Sequence, residues 1–383
     1  MAKCIGCGIK LQTVDENLPG YVPLLVSADL GENVYCKRCF QIIHNGKKYD
    51  PQISDNDYYE KISVIKDKTA IVILMIDIMD IYGGFIPNLH KYIGNNKVIV
   101  VVNKVDIIPR DVHLKKIEER IRSIAAKEEL DVLSVIMISA KKKQNIEAVL
   151  NKIFKIKEQA YKRARTYREK RNSNFKEIYI LGCASVGKST FINAIKEIYL
   201  DDKKMITTSD QFQTTMDFIK VFVDENNYII DTPGLINYRS YGAYLDYESV
   251  KVLTPKAYLK PKTFQLHPDQ TIFLGGLARM DFVSGDKINV SFYTSNDLYL
   301  HRTKTINADN IYETQILQLL KPPYSKEELE RIKDFKEVTF KIEEGAYDVL
   351  ISGIGFIHVV GANIEFKVRV HKNIDVRMVE TFI

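Results

Sequence analysis

Gly182-Cys-Ala-Ser-Val-Gly187-Lys188-Ser189-Thr190 decides the reading of this chain. It stands between a strand-like run, residues 178–181, and a helix-like one, Thr190-Phe-Ile-Asn-Ala-Ile. A glycine, four residues and then Gly-Lys-Ser, placed between strand and helix, is a phosphate loop. Its glycines let backbone N–H groups wrap phosphates, and the helix N-terminus adds partial positive charge. Gly182, Ser185, Val186, Gly187, Lys188, Ser189 and Thr190 are therefore candidate phosphate contacts. Lys188 is expected to reach the β- and γ-phosphates, and the Ser189 hydroxyl to bind Mg²⁺. Cys183 reads as a small buried loop residue.

Two motifs earlier in the chain read a base. Asn103-Lys104-Val105-Asp106 closes a β-branched run, and Ser139-Ala140-Lys141 closes the next one. A carboxylate at Asp106 can accept two hydrogen bonds from the N1–H and exocyclic amine of guanine. Adenine lacks that donor pair and would leave the carboxylate desolvated and unpaired. Lys104 is expected to lie along the base, Asn103 to tie its loop to the phosphate loop, and the Ala140 N–H to meet guanine O6. Asp231-Thr-Pro-Gly234 follows a third such run. There Asp231 is placed near Mg²⁺ and the Gly234 N–H near the γ-phosphate. Thr214-Thr215 lies between the phosphate loop and Asp231, where a switch threonine that completes the Mg²⁺ site belongs. Lys188, Asp231, Gly234 and Thr215 are the candidate catalytic groups.

The order of these motifs carries information. A GTPase ordinarily runs phosphate loop, switch threonine, Asp-x-x-Gly, Asn-Lys-x-Asp, Ser-Ala-Lys, and here the last two come first. One circularly permuted domain accounts for that order, because domain termini often lie close together. The second switch then runs directly into the C-terminal region. Leu235 occupies the position after Gly234, where many GTPases place a glutamine that orients water. An apolar side chain cannot do so, and slow intrinsic hydrolysis is expected.

Composition sets the frame. The chain has 383 residues, 45% of them hydrophobic, enough for two or three packed units. The continuous runs Ala70–Asp77 and Lys97–Asn103, with 132–139 and 177–182, read as buried strands of a parallel sheet. Ile146, Val149, Leu150 and Ile153 recur at helical spacing. No apolar run reaches the length of a bilayer span, and Met-Ala-Lys-Cys-Ile-Gly-Cys-Gly has no apolar signal core, so a cytoplasmic protein without membrane contact is expected. The formal charge of +6 is unevenly spread: residues 141–176 hold thirteen Lys/Arg and three Glu, which suits either a polyanionic partner or a solvated helix face. Lys251, Lys256, Lys260 and Lys262 precede a β-rich region of short alternating strands with many aromatics, which could grip RNA phosphates or simply build a strand core.

Cys4-x-x-Cys7 and Cys36-x-x-Cys39 form two knuckle-like pairs. Four thiolates at this spacing suit a tetrahedral structural Zn²⁺. The 28 residues between the pairs imply a looped-out finger.

The ordered set of both Cys-x-x-Cys pairs, Asn-Lys-Val-Asp, Ser-Ala-Lys, the phosphate loop, Thr-Thr-x-Asp and Asp-Thr-Pro-Gly resembles the YqeH family. The resemblance continues in Leu274-Gly-Gly-Leu-Ala-Arg279, Leu300-His-Arg-Thr-Lys304 and Ile351-Ser-Gly-Ile-Gly-Phe356. It implies an α/β fold: a circularly permuted phosphate-loop GTPase domain (52–245), an N-terminal zinc-finger module (1–50) and a β-rich C-terminal domain (250–383) that binds RNA. It also implies GTP/GDP, Mg²⁺ and Zn²⁺ as ligands, the small ribosomal subunit or its precursor and rRNA as partners, and a monomer. Two positions depart from the family pattern. Ser185 replaces an asparagine that helps hold K⁺ in related GTPases, and its hydroxyl reaches less far, so a K⁺ requirement does not follow. Phe212-Gln213 replaces Pro-Gly before the switch threonines. A GTP-regulated nucleic-acid-binding adaptor with incidental turnover is the alternative that Leu235 and Ser185 leave open. If Cys4, Cys7, Cys36 and Cys39 share one ion, metal analysis of purified protein will find about one zinc per chain. Metal-free or disulfide-paired cysteines would refute that reading.

Overall fold

A computed structural model describes residues 11–14, 21–22, 55–166, 177–200, 219–224 and 227–383. Cys4, Cys7, Cys36, Cys39, Thr214 and Thr215 lie outside the described residues.

The first sheet has six strands: β1 (Ala70–Asp77), β2 (Lys97–Asn103), β3 (Val132–Met137), β4 (Glu177–Leu181), β5 (Ile219–Asp224) and β6 (Asn227–Asp231). Their order is β3-β2-β1-β4-β6-β5, with only β5 antiparallel to its neighbour. The unbroken apolar runs have a simple cause. Val72, Leu74 and Ile76 of β1 enter one core, and Ile71, Ile73 and Met75 enter the other. A sheet buried on both faces leaves no place for polar alternation. Helices α1 (Asp55–Ser63), α2 (Leu89–Ile93) and α3 (Leu114–Lys127) cover the first face, through Ile62, Ile93, Ile117 and Ile121. Helices α4 (Ile146–Arg163) and α5 (Lys188–Leu200) cover the second, through Ile146, Val149, Leu150, Ile153, Phe191 and Ile195.

The phosphate-loop strand β4 sits in the middle of this sheet. Counted from β4, the chain would run outward over β6 and β5 and then cross to β1, β2 and β3 on the other side. The direction of strand order thus reverses between β4 and β1, and ligands of open α/β sheets bind outside the carboxyl ends at such a point.

The second sheet is antiparallel and holds β7 (Lys262–Leu266), β8 (Gln270–Leu274), β9 (Ala278–Ser284), β10 (Ile288–Thr294), β11 (Leu300–Lys304), β12 (Phe335–Ile351), β13 (Gly355–His371) and β14 (Val376–Glu380). The C-terminal strands are not all short. The strands β12 and β13 have 17 residues each and pair along almost their whole length. Exposed Lys and Glu and the interior Gly345 and Gly361 interrupt their apolar pattern, which hides the length in the sequence.

Tyr241 and Leu245 belong to the core of this second sheet, although they precede position 250. The Tyr241 hydroxyl is buried, donates to the Leu277 carbonyl and accepts from the His371 N–H at 3.0 Å. Tyr241→Phe strands both backbone groups away from water, so a loss of about 1–3 kcal/mol is expected. Calorimetry of both proteins measures it, and an unchanged melting temperature would contradict the role.

Candidate functional site

The phosphate loop folds back tightly on the sheet. Gly182 has φ +154°, and a Cβ there would lie 2.6 Å from the Met75 carbonyl of β1. Gly187 has φ +98°, and its Cβ would lie 2.3 Å from Asn103 Nδ2. Only glycine tolerates both the conformation and the approach. Lys188 opens α5 and donates from Nζ to the loop carbonyls of Gly182 (2.9 Å) and Cys183 (3.1 Å). Burial holds its pKa below the usual lysine range, while the neighbouring Asp231 carboxylate works against that shift. A phosphate brought into the loop offers this ammonium a stronger partner than two neutral carbonyls. Ser185, Ser189 and Thr190 are exposed at the mouth of the loop, and Val186 is buried beneath it.

Asp231 ends β6 beside this loop. Its Oδ1 is buried and has no hydrogen-bond partner among the described residues. Burial raises its pKa, and the Lys188 charge opposes the rise. A buried, unpartnered carboxylate oxygen within electrostatic reach of Lys188, whose neighbour Ser189 has an exposed hydroxyl, fits a hard divalent cation, which takes oxygen ligands. Ser189 and Asp231 are thus the described residues that would hold Mg²⁺, which would supply positive charge against the phosphates.

Gly234 is pressed onto the phosphate loop. A Cβ there would lie 2.8 Å from Ala184 Cα and 3.1 Å from Lys188 Nζ. Leu235 continues the contact as a short parallel bridge to Cys183: the Ala184 N–H donates to Leu235 O at 2.8 Å, and the Leu235 N–H to Gly182 O at 3.3 Å. Its side chain is buried in the first core rather than turned to the loop mouth.

The base loops meet on one amide. Asn103 is buried; its Nδ2 donates to Val186 O and its Oδ1 accepts from the Ala140 N–H, both at 2.9 Å. The tie to the phosphate loop is thus present. The Ala140 N–H, expected to face guanine O6, is engaged by Asn103 instead. Lys104, at φ +70°, pairs through Nζ with Asp77 Oδ2 at 2.5 Å. The Asp106 carboxylate is half-buried and makes no hydrogen bond or ion pair among the described residues, which leaves both oxygens to accept from a base. Ser139 is buried, and its Oγ accepts from the Lys142 N–H at 3.0 Å. Lys141 reaches the Lys256 carbonyl at 3.0 Å.

The comparisons with known proteins agree with this geometry. Residues 177–259 match the family model described as 50S ribosome-binding GTPase, and residues 287–382 match YqeH-like, C-terminal. The first match begins at the phosphate-loop strand, leaving Asn103 and Ser139 outside it, in keeping with the motif order. The protein YqeH of Bacillus subtilis is 35% identical over 94% of this chain and 93% of its own length. The chain belongs to the YqeH family. Other proteins similar to this chain include a putative nitric oxide synthase of Oryza sativa (29% identical over 94% of this chain and 70% of that protein) and nitric oxide-associated protein 1 of Homo sapiens (22%, 96% and 72%). The GTPase domain implies GTP or GDP and Mg²⁺ as its ligands.

Sequence reasoning missed the loop after β1. Asp77 holds Lys104, and Asp80 holds the turn at Gly83, whose carbonyl accepts from Cys183 Sγ and from Asn237 Nδ2, each at 3.2 Å. Two aspartates three residues apart, directly after an unbroken apolar strand, were the available signal. For the base loop, Asp106→Asn replaces a double acceptor with an amide that suits xanthine better than guanine. Nucleotide competition is expected to show the preference move from GTP towards XTP by about tenfold or more; an unchanged preference would remove Asp106 from the base site.

Proposed function

We propose that this protein is a GTP-hydrolysing switch acting in assembly of the small ribosomal subunit, with rRNA as its contact and slow turnover on its own. The observation that carries the reading is the path of the chain after Asp231. Gly234 and Leu235 lie against the phosphate loop, and six residues later Tyr241 is buried in the second sheet. An element whose contacts depend on the γ-phosphate is therefore continuous with the region that would hold the partner. The roles assigned to Lys188, Ser189, Asp231, Gly234, Asn103, Lys104, Asp106, Ser139, Ala140 and Lys141 belong to this proposal, as do those of Thr214 and Thr215, the zinc module at 1–50 and the units 52–245 and 250–383. The buried Leu235 side chain favours slow intrinsic hydrolysis, completed by the partner.

Charge favours one face for RNA. Many cations of the second sheet sit in ion pairs, among them Lys341 with Glu365, Lys367 with Glu337, Arg369 with Asp309 and Lys372 with Asp334. The Lys141–Lys256 bond brings the exposed run Lys141-Lys142-Lys143 near Lys256 and Lys260; Lys143 pairs there with Glu197 and Lys256 with Asp297, which leaves Lys141, Lys142 and Lys260 without an acidic partner among the described residues. Phosphate contacts there would make binding steeply salt-dependent. No helix among the described residues is long and apolar enough to cross a membrane; a cytoplasmic monomer is part of the same proposal. The adaptor alternative shares the same binding faces and differs only in whether turnover matters.

Co-sedimentation with purified small and large ribosomal subunits, in GDP and in a non-hydrolysable GTP analogue, tests the proposal. Small-subunit affinity is expected to differ about 5–150-fold between the two states, and single-turnover hydrolysis to rise when small subunits are added. Binding to large subunits alone would overturn the small-subunit assignment. Equal affinity in both states with unstimulated hydrolysis would favour the adaptor.

A further inference from the structure

We propose that Asp80 is a positioning residue of the GTP site, joining the phosphate loop and the segment after Gly234 to the C-terminal sheet. The inference rests on the GTPase reading above and adds a residue that no motif includes.

Asp80 ends the short 3₁₀ turn Ile78–Asp80 that follows β1. Its Oδ1 accepts from the Gly83 N–H at 3.0 Å, and its Oδ2 accepts from Ser352 Oγ. Ser352 lies in the turn between β12 and β13, 272 residues away in sequence. Gly83 passes the connection on, because its carbonyl accepts from Cys183 Sγ in the phosphate loop and from Asn237 Nδ2 three residues past Gly234. One carboxylate thus reaches three elements, directly through Ser352 and by way of the single residue Gly83.

The packing leaves no slack. A Cβ on Gly83 would come within 2.5 Å of Asn237 Nδ2 and of both Asp80 oxygens. Asn237 is also held from its other end, where Oδ1 accepts from the Arg239 N–H at 3.0 Å. The Arg239 carbonyl in turn accepts from the Asp375 N–H of the second sheet at 2.9 Å. The carboxylate itself is in an unfavourable place: burial, with smaller contributions from Asp77 and Asp375, pushes its pKa up to about 6 against the Ser352 and Gly83 bonds. Arg377, which lines the same small pocket as Asp80, is paired with Asp375 and stacks on Tyr82. A part-buried carboxylate with a raised pKa, held at the junction of the phosphate loop, the segment after Gly234 and the second sheet, is placed to set their relative positions. Such groups concentrate where geometry serves a site.

The test uses full-length protein and three substitutions. Asp80→Ala removes both bonds. In Asp80→Asn the amide oxygen still accepts from Gly83 and the NH₂ can donate to Ser352 Oγ. Ser352→Ala removes only the link to the second sheet. GTP turnover and the dissociation constant of a fluorescent GDP analogue are measured on each, with thermal unfolding as a check of folding. Asp80→Ala is expected to lower kcat about tenfold or more while GDP affinity stays within about threefold, since small misplacements act on the reacting geometry. Asp80→Asn is expected to recover most of that loss, and Ser352→Ala to lower kcat without weakening GDP. A folded Asp80→Ala with unchanged kcat overturns the inference, as does one that loses kcat and GDP affinity in equal proportion. Should Asp80→Ala fail to fold, Ser352→Ala decides by the same two readouts. A wild type that does not hydrolyse GTP would sink the GTPase reading instead, which separates the two failures.

Discussion

Asn103 holds the site together. Its amide is buried, and each end is used: Nδ2 on the Val186 carbonyl of the phosphate loop, Oδ1 on the Ala140 N–H of the second base loop. Backbone groups in that position cannot reach water, so loss of the amide would strand two of them at once. The two contacts reach 83 and 37 residues further along the chain. Because a side chain makes the joint, the order in which the chain visits the three loops does not matter to it. That is the physical reason a GTPase sheet can be entered at the guanine strands and left after Asp231 without losing the nucleotide pocket.

The motif order has a second effect. In this arrangement the segment after Gly234 cannot return to the first sheet, and it becomes the entry to the second. Leu235 is the last residue with backbone bonds to the phosphate loop, and Tyr241 is the first to be buried among the residues of β13 and its neighbours. Further contacts fasten the two sheets from the base side: the Leu259 N–H donates to Ile107 O at 2.8 Å, and Tyr293 OH to Asp111 at 2.5 Å. The second sheet and the segment that enters it are therefore tied to the first unit near Ile107 and Asp111, after the Asn103–Asp106 loop.

Much of this was legible early. The strands β1, β2 and β4 announced themselves as apolar runs, because a sheet covered on both faces tolerates little else, whereas β3, read as buried too, is an edge strand whose residues are mostly half-buried. Helix α4 showed its buried stripe at Ile146, Val149, Leu150 and Ile153. The two 17-residue strands were not legible as such, since glycines and exposed charges break their alternation. Nor was the pairing of Lys104 with Asp77, since neither residue's neighbours in sequence refer to the other.

The sequence by itself determined the ligand class and the layout: phosphate loop, guanine motifs and their inverted order are local patterns, written in a few consecutive residues whose chemistry and backbone freedom define them. Only the tertiary structure decided which groups those motifs lean on. The Ala140 N–H was read locally as a donor to guanine and is in fact taken by Asn103. Leu235 was read as a missing glutamine and proves to be a core residue. Asp80 had no motif at all, and its meaning came from Ser352, Gly83, Cys183 and Asn237 arriving around it. Hydrogen bonds between residues tens or hundreds of positions apart leave no periodicity in the chain, so packing alone brings them into being.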